Sequence, residues 1–423
     1  MENLFWYLAS LCLSVFIYWF ILPSQWRTLF LFLMSLLFIS LFNLKYVLYF
    51  LLHMILVYSA GLYISKGEKR KKLILTLTLV WLIGNLCFFK YSDLFFSTIF
   101  KAGFGFSWMP KITFPTLLLP LGMSYIIFRL IHFIVDVYKK KSPRCSFVDF
   151  GLFVLFFPTF LAGPVERFQR FHTQTREMKA PDLSNINQGL FRILLGVVKK
   201  FVIADTLAGK GFAKEIIEII QYIVAKKFVV ADTLAGGIIH ALNTPESYPR
   251  ILVLLFVYGT AIQIYLDFSG YTDMALGVSR LFGYKIMENF NRPFFQRNIA
   301  MFWRNWHISV YSWIRDYFFF PFFGYRATNL KIYLGIFMTM VVFMLWHKGN
   351  LNFLLLGIYN GLGLVVWQLY QEVKKKYPSI RKWSLRSYMN PVAIFFTFNF
   401  VSFGFLFFHL DLPHLYAVLA RIF

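Results

Sequence analysis

Residues 332–347 read IYLGIFMTMVVFMLWH, an apolar run that ends in a histidine and is long enough to cross most of a bilayer. Forty residues upstream of that histidine, residues 302–307 read FWRNWH and place a second histidine beside a tryptophan. A titratable side chain near hydrocarbon is costly, so its presence there indicates a function. His307 and His347 are therefore candidate functional residues of a membrane protein.

The composition of the whole chain is that of an integral membrane protein. Of its 423 residues, 59% are hydrophobic and 15% are charged, whereas soluble chains are about half apolar and about a quarter charged. Apolar runs recur along the chain and predict about ten or eleven membrane-spanning helices. We expect the first run to be a retained helix and not a signal peptide, because it lacks a basic leader and a small-residue cleavage site. The runs cover residues 4–22, 29–42, 46–64, 73–89, 114–137, 251–266, 332–346, 353–369 and 392–408.

The net charge of +24 is concentrated in short loops, at residues 66–72, 139–144 and 374–386. Short basic loops mark the cytoplasmic side of a membrane protein, which predicts a cytoplasmic (inner) membrane location and an extracytoplasmic amino terminus. We attribute the charge to contact with anionic lipid and not nucleic acid, because the basic residues form no amphipathic surface. The three cysteines have neither disulfide nor metal-site spacing, so no metal site is expected.

Two segments in the middle of the chain interrupt the apolar pattern. Arg129, His132 and Asp136 fall on one helical face, which should point into the protein. This polar stripe could be structural, with Arg129 and Asp136 offsetting one another, or it could take part in catalysis. Residues 156–164 read FFPTFLAGP, and their prolines and glycine predict a broken or re-entrant segment.

A direct duplication follows. Residues 199–209 read KKFVIADTLAG and residues 226–236 read KKFVVADTLAG, a single difference. Two copies do not make a solenoid. The basic pair and the apolar stretch predict an amphipathic helix near a membrane interface. The sequence leaves open which copy is the original element.

Residues 263–277 read QIYLDFSGYTDMALG and crowd polar groups into an otherwise apolar helix. Asp267, Tyr271 and Asp273 are candidate site residues there, although such residues more often make structural contacts between helices. Gly270 should let another backbone approach closely. The stretch that follows, residues 288–317, begins ENFNRP and is too charged to span, so we expect short interfacial helices at the cytoplasmic face.

In combination these motifs resemble the membrane-bound O-acyltransferase (MBOAT) family. The resemblance extends from about residue 73 to the last helix and is greatest to the bacterial branch of the alginate O-acetyltransferase membrane subunit and the D-alanyl transferase of teichoic acid modification. It implies an all-α integral membrane protein whose helices, including re-entrant and interfacial ones, surround a central tunnel. The expected domain is single, over residues 1–423, with amino-terminal helices in 1–110 and the core in 115–423. The motifs that carry the resemblance are FLAGP, KKFVIAD, QIYLDFSGYTDMALG, ENFNRPF, FWRNWHIS and LWH.

The resemblance also implies which residues act. It makes His347 catalytic and His307 the other expected site residue. Lys348 departs from the family pattern, which usually has a small residue after the catalytic histidine. The supporting residues expected around the two histidines are Asn305, Trp306, Trp346, Asp267, Tyr271, Asp273, Arg304, Arg315 and Asp316.

The chemistry of O-acylation suits an imidazole. A histidine can take the hydroxyl proton near neutral pH and pass it to the leaving thiolate, so we favour direct transfer with His347 as general base. A route through an acyl-enzyme needs a nucleophile, for which Ser309 is a weak candidate and Cys145 has no evident partner. The sequence has no G-x-S-x-G motif. The alternative for His347 is a structural role in bonding to a neighbouring helix, and the alternative for His307 is a solvated position in an interfacial loop.

The predicted function is transfer of an acyl group, most simply acetyl, from a cytoplasmic thioester to a hydroxyl of a cell-envelope or exported polysaccharide. The donor is expected to be acetyl-CoA or an acyl carrier thioester, with phosphates near Arg304 and Arg315 and no tightly bound cofactor. The resemblance implies an extracytoplasmic partner protein that completes the transfer. Two alternatives remain: D-alanyl transfer from a carrier protein to teichoic acid, and a glycan or lipid-precursor transporter. A transporter predicts inverted repeats, whereas the repeat found is direct.

Overall fold

The computed structural model describes residues 2–67, 69–101, 120–161, 163–177, 182–205, 238, 242–324, 328–384, 386 and 389–423. Within these ranges the regular structure is helical, and the β-type pairing is an isolated bridge between Phe290 and Trp306. The predicted all-α fold is therefore confirmed. Residues 206–209 and the second copy of the duplicated element, residues 226–236, lie outside the described residues.

The chain divides into two compact units, each described here by itself. The first comprises Met1–Ile193 and Ala275–Met287, and the second comprises Leu194–Met274 and Glu288–Phe423. The helices, in chain order, are α1 (Glu2–Phe16), α2 (Ser24–Ser40), α3 (Leu44–Ser65), α4 (Lys71–Lys101), α5 (Met123–Tyr138), α6 (Phe147–Leu155), α7 (Phe168–Glu177), α8 (Leu183–Val197), α9 (Arg250–Leu281), α10 (Ile299–Asn305), α11 (Ile308–Ile314), α12 (Phe320–Phe323), α13 (Asn329–His347), α14 (Leu351–Lys376), α15 (Pro378–Ser384), α16 (Met389–Phe405) and α17 (Leu412–Ile422).

Six of the described helices are long and apolar enough to cross a membrane, and each coincides with a predicted apolar run. Three shorter apolar helices cover Ala9–Ile21, Ser24–Ser40 and Phe147–Thr159. The total of ten or eleven spans stays a prediction, because residues 102–119 and 206–237 are not described. The six long segments are Leu44–Ser65, Lys71–Tyr91, Arg250–Leu281, Asn329–His347, Leu351–Lys376 and Met389–Phe408.

Helices α13 and α14 form a tightly packed pair in the second unit. A Cβ atom on Gly357 would lie 2.7 Å from the Cα atom of Val341, so only glycine permits this approach of the two backbones. Helix α14 begins at a polar cap, because the Asn350 side chain accepts a hydrogen bond from the Phe353 N–H at 3.1 Å. The cap sets the short turn that follows His347.

In the first unit, Arg129 supports the broken segment that the sequence predicts after residue 155. Its guanidinium donates to the carbonyl oxygen of Val154 at 2.9 Å and to that of Thr159 at 2.8 Å, and it also donates to the Thr159 hydroxyl at 2.6 Å. Helix α6 ends at Leu155, so these carbonyls lack helical partners. Arg129 is 1% exposed, and its planar set of donors satisfies them inside the protein.

The other two residues of the polar stripe hold helix α7. The Phe168 N–H donates to His132 Nε2 at 2.8 Å, and the Gln169 side chain donates to Asp136 Oδ2 at 2.6 Å. These contacts support a structural role for the stripe. Arg129 and His132 bond to backbone groups, and Asp136 accepts from a side chain, where the helices of the first unit are interrupted.

We predict that Arg129→Met lowers the free energy of unfolding by about 3 kcal/mol, because it leaves buried carbonyl groups without donors. The measurement is the thermal unfolding midpoint of the purified protein in detergent. Arg280→Met is the matched control in the same unit, since Arg280 donates to the exposed Gln188 side chain. Equal shifts of the midpoint in the two variants would contradict the assignment.

Candidate active site

His307 occupies a sharp turn between α10 and α11. Trp306 is extended and bridges to Phe290, while the Asn291 N–H donates to the Asn305 carbonyl at 3.0 Å. His307 has φ +48° and ψ +48°, a left-handed conformation that is uncommon for a residue with a side chain. The side chain is fully buried. The turn thus fixes the position of the first predicted histidine.

Asn289 holds this turn with its backbone and its side chain. Its carbonyl accepts the Ile308 N–H at 2.9 Å, and its Oδ1 accepts the Ser309 hydroxyl at 2.6 Å. The same Oδ1 lies 3.3 Å from His307 Nδ1. Because an amide oxygen only accepts, Nδ1 carries the imidazole proton and Nε2 is the basic nitrogen. Asn289 thereby sets the tautomer of His307.

Asn289 was not among the predicted site residues, although it lies in the ENFNRP motif. An asparagine in a polar loop has no periodicity or spacing that reveals its partner. The signal in the sequence was the short distance between this polar motif and FWRNWH, because a polar side chain near a histidine can supply its hydrogen-bond partner.

The structure brings His307 and His347 together. Their ring centroids are 6.4 Å apart, with an angle of 51° between the ring planes. Phe343 and Trp346 contact both rings, and the edge of Phe268 meets the His307 ring at 4.7 Å between centroids. Helix α13 ends at His347, which is half-buried, so the two imidazoles share an aromatic pocket but differ in exposure.

The environment keeps His307 uncharged at neutral pH. Burial lowers the pKa of His307 well below its usual range, and a positive charge on His347 would lower it further. Two imidazolium ions at this separation repel one another, so the pair holds one proton more readily than two. The arrangement therefore supplies one neutral buried imidazole beside one that is more accessible.

The two nucleophiles considered from the sequence are poorly placed for that role. The Ser309 hydroxyl is fully buried and donates to Asn289, which uses it as part of the turn. Burial, with a smaller contribution from the Asp149 carboxylate, raises the pKa of the Cys145 thiol to about 12. The thiol therefore stays protonated and is a weak nucleophile.

Asp267 and Asp273 on α9 have lysine partners from the first copy of the duplicated element. Lys199 Nζ lies 2.6 Å from Asp273 Oδ2, and Lys200 bonds to Asp267 and, at 2.9 Å, to Asp205. Burial alone would lower the pKa of Lys200, but the hydrogen bonds to Asp267 and Asp205 outweigh it and the pKa is raised. These pairs hold the KKFVIAD segment against α9.

Close backbone contact supports the same junction, as the sequence predicts for Gly270. A Cβ atom on Gly196 would lie 2.5 Å from the Gly270 carbonyl oxygen, and one on Gly270 would lie 2.8 Å from the Lys200 nitrogen. The end of α8 and the middle of α9 therefore touch backbone to backbone, which brings the two lysines within reach of the carboxylates.

A cavity of about 260 Å³ lies among α10, α11, α13 and α14. Its walls are largely apolar, and Arg304 and Arg315 contribute the charged part of its lining. Arg315 Nε also donates to Asp316 Oδ1 at 2.8 Å. The buried indole nitrogen of Trp303 has no hydrogen-bond acceptor among the described residues. Phe343 lines this cavity as well as contacting both histidines, so the cavity borders the histidine pair.

The remaining predicted residues surround this region. The Asn305 side chain donates to the Met301 carbonyl at 2.8 Å, which terminates α10. Trp306 is buried against Phe405, at 4.9 Å between ring centroids, and Tyr271 is half-buried on α9. Among the described residues, no three His, Cys, Asp or Glu side chains are grouped as metal ligands would be.

The fold and the site define a class: a multi-pass α-helical membrane protein with one fully buried and one half-buried histidine beside a largely apolar cavity that two arginines line in part. The model of the MBOAT, membrane-bound O-acyltransferase family, matches residues 237–408, which include both histidines. The chain is 31% identical to the probable alginate O-acetylase AlgI of Pseudomonas syringae pv. tomato, over 86% of this chain and 65% of that protein. It is 29% identical to the peptidoglycan O-acetyltransferase of Helicobacter pylori, over 91% and 71% of the two chains. It is 30% identical to the teichoic acid D-alanyltransferase of Bacillus subtilis, over 67% of each.

The chain belongs to the membrane-bound O-acyltransferase family. It spans 52% to 65% of the length of the five alginate O-acetylases that it matches.

We predict that Lys199→Ala lowers the free energy of unfolding by about 2–4 kcal/mol, because it leaves the Asp273 carboxylate buried without its cation. The measurement is the thermal unfolding midpoint in detergent. Lys226→Ala, at the corresponding position of the second copy, is the matched control and should change the midpoint little. A larger loss from Lys226→Ala would mean that the second copy, and not the first, makes these pairs.

Proposed function

We propose that this protein transfers an acyl group, most simply acetyl, from a thioester donor to a hydroxyl of a cell-envelope or exported polysaccharide. The observation that carries the proposal is the neighbouring pair of imidazoles, His307 and His347, beside a cavity whose lining includes two arginines. Family membership supports the same reaction class.

In the proposed reaction, the acceptor hydroxyl oxygen attacks the carbonyl carbon of the thioester. His347 takes the hydroxyl proton as the new C–O bond forms, which is the role of a general base. The tetrahedral intermediate then collapses, the C–S bond breaks and the leaving thiolate takes the proton back from His347. The products are an ester and a free thiol, and no covalent acyl-enzyme is formed.

The proposal gives His307 a positioning role. Its proton stays on Nδ1 and is hydrogen-bonded to the Asn289 amide oxygen, so Nε2 can accept a hydrogen bond from a neighbouring hydroxyl of the acceptor polysaccharide and orient it, while the reacting hydroxyl gives its proton to His347. Because His307 is neutral, it places no positive charge beside His347 that would oppose protonation of His347. The more accessible imidazole, His347, therefore takes and returns the proton during the reaction.

The donor side of the proposed site is the cavity next to Phe343. Guanidinium groups suit phosphate oxygens, so Arg304 and Arg315 would hold the phosphates of acetyl-CoA or of a carrier-protein phosphopantetheine arm. The apolar walls suit the uncharged part of such an arm. Placed there, the thioester would approach the histidines past Phe343.

The relatives leave a second candidate of the same reaction class. One relative is named for D-alanyl transfer to teichoic acid, whereas others are named for acetylation of alginate or peptidoglycan. We favour acetyl, since the relatives matched over the larger share of this chain are acetyl-transferring ones by name. The same chemistry applies whether the attacking hydroxyl belongs to the polysaccharide itself or to an extracytoplasmic partner protein that then passes the acyl group to the polymer.

We predict that a strain lacking this gene loses ester-linked acetyl from an envelope polysaccharide, and that wild-type complementation restores it while His347→Ala does not. Loss of a general base lowers the rate about 10²–10⁴-fold, which brings the ester content to background. The measurement is mass spectrometry of acids released by mild alkali, with membrane levels of the protein matched. His307→Ala should also fail to restore the ester.

His414→Ala is the matched histidine control and should complement fully, because His414 is exposed and bonds to Asp411. Release of D-alanine and not acetate would replace the acetyl proposal with the D-alanyl one. Full complementation by His347→Ala would remove the catalytic assignment.

We further predict that Arg304→Gln and Arg315→Gln each raise the KM for the thioester donor about tenfold with little change in kcat. A charge-assisted hydrogen bond to a donor phosphate stabilises bound donor and transition state alike. The measurement is acyl transfer by the protein in lipid nanodiscs at varied donor concentration. Lys374→Gln removes the same charge at the end of α14 and should leave KM unchanged. A fall in kcat without a change in KM would place the two arginines at the reacting atoms instead.

A further inference from the structure

A second large cavity, of about 760 Å³, lies in the first unit at the ends of α3 and α5. Lys66, Lys140 and Arg144 line it, and its lining includes no aspartate or glutamate among the described residues. No ion pair is found for these three cations within the part of the chain that the structure describes. The cavity is therefore a concentration of positive charge with no internal counter-charge.

Apart from Ser65, Ser142 and the hydroxyl of Tyr58, the rest of the cavity wall is largely apolar, and it continues along a membrane helix. Leu62, Phe133 and Val137 form the wall below the cations. Leu62 belongs to a stripe of exposed apolar residues on one face of α3, spaced three, four or seven residues apart as a helical face requires. The stripe consists of Leu48, Leu52, Ile55 and Leu62, which are 49% to 64% exposed.

The loop that carries two of the cations is held in a defined conformation. Lys140 has φ +56°, a left-handed conformation that costs energy for a residue with a side chain. The turn is fixed because the Lys141 N–H donates to the Asp136 carbonyl at 2.8 Å. Farther along, the Tyr58 hydroxyl donates to the Cys145 carbonyl at 3.0 Å, which ties the loop to α3. The cations are thus presented by an anchored loop.

Cations at helix ends also complement the helix dipole, by about 0.3–1 kcal/mol each. That effect accounts for Lys66 and Lys140, which follow the ends of α3 and α5, but it does not require a cavity. It also does not account for Arg144, which lies beyond the turn, or for the apolar wall that leads away from the charges.

We propose that this cavity binds one anionic phospholipid. The phosphate lies among Lys66, Lys140 and Arg144, where charge-assisted hydrogen bonds are strongest, and an acyl chain lies along Leu62 and the exposed face of α3. The apolar wall is what favours a lipid over a small soluble phosphate. This site is separate from the histidine pair, so the proposal does not depend on the proposed function.

The experiment measures binding of phosphatidylglycerol and phosphatidylcholine to the purified, delipidated full chain in detergent, by native mass spectrometry. The test variant is Lys66→Gln/Lys140→Gln/Arg144→Gln. We expect its affinity for phosphatidylglycerol to fall about 100-fold, since each of the three basic residues contributes about a fivefold step. Lys374→Gln/Lys375→Gln/Lys376→Gln removes the same charge from the basic segment at the end of α14, away from this cavity, and should lower the affinity much less.

Two further measurements distinguish a whole phospholipid from a small soluble phosphate: competition by glycerol 1-phosphate, and binding to the Leu62→Ser variant. We expect weak competition by glycerol 1-phosphate, and we expect Leu62→Ser to lower affinity for phosphatidylglycerol but not for glycerol 1-phosphate. Equal losses in the two triple variants would overturn the proposal in favour of diffuse attraction. Equal affinity for phosphatidylcholine, or full displacement by glycerol 1-phosphate at matched concentration, would overturn it as well. Unchanged unfolding midpoints show that the variants are folded.

Discussion

The backbone of an apolar protein must find hydrogen-bond partners wherever a helix stops, because neither lipid nor an apolar interior supplies them. Each unit of this protein meets that constraint with one buried polar side chain. In the first unit, Arg129 donates to the carbonyls of Val154 and Thr159 after α6 ends. In the second, the backbone carbonyl of Asn289 accepts the Ile308 N–H, and its side-chain oxygen accepts from His307 Nδ1. An arginine suits free carbonyls because it only donates, and an amide oxygen suits free N–H groups because it only accepts.

The second of these anchors decides the chemistry that the histidines can perform. A histidine inside a regular helix would project along the helix face, whereas the left-handed turn at His307 directs the ring independently of α10 and α11. Asn289 then fixes the tautomer, and burial keeps the ring neutral. His347 terminates its helix and is more exposed. Two imidazoles in different environments can take different roles. In the proposed reaction His307 therefore positions the acceptor, and His347 transfers the proton.

The sequence predicted the parts of this structure that depend on pattern. Six of the predicted apolar runs coincide with described helices of membrane-spanning length, and the FFPTFLAGP stretch predicted a break where α6 ends. Two histidines, 40 residues apart in sequence, were expected in one site, and their rings lie 6.4 Å apart. The roles of Asn289 and Lys199 could not be predicted in this way. Their partners are distant in the chain, and a hydrogen bond between distant residues leaves no periodicity.

The duplicated element shows why composition alone could not assign a role to the lysines. Adjacent residues on an α-helix point about 100° apart, yet Lys199 and Lys200 reach carboxylates six positions apart on α9. The segment Val198–Ala204 is π-helical, and the wider turn changes the directions of its side chains. The second copy has the same basic pair and the same Ala-Asp, so its sequence is equally suited to these contacts. Among the described residues, the first copy supplies the lysines that pair with Asp267 and Asp273. The two copies differ at one apolar position only, so their sequences do not explain the contact. The first copy lies against α9 because it directly follows α8 in the chain.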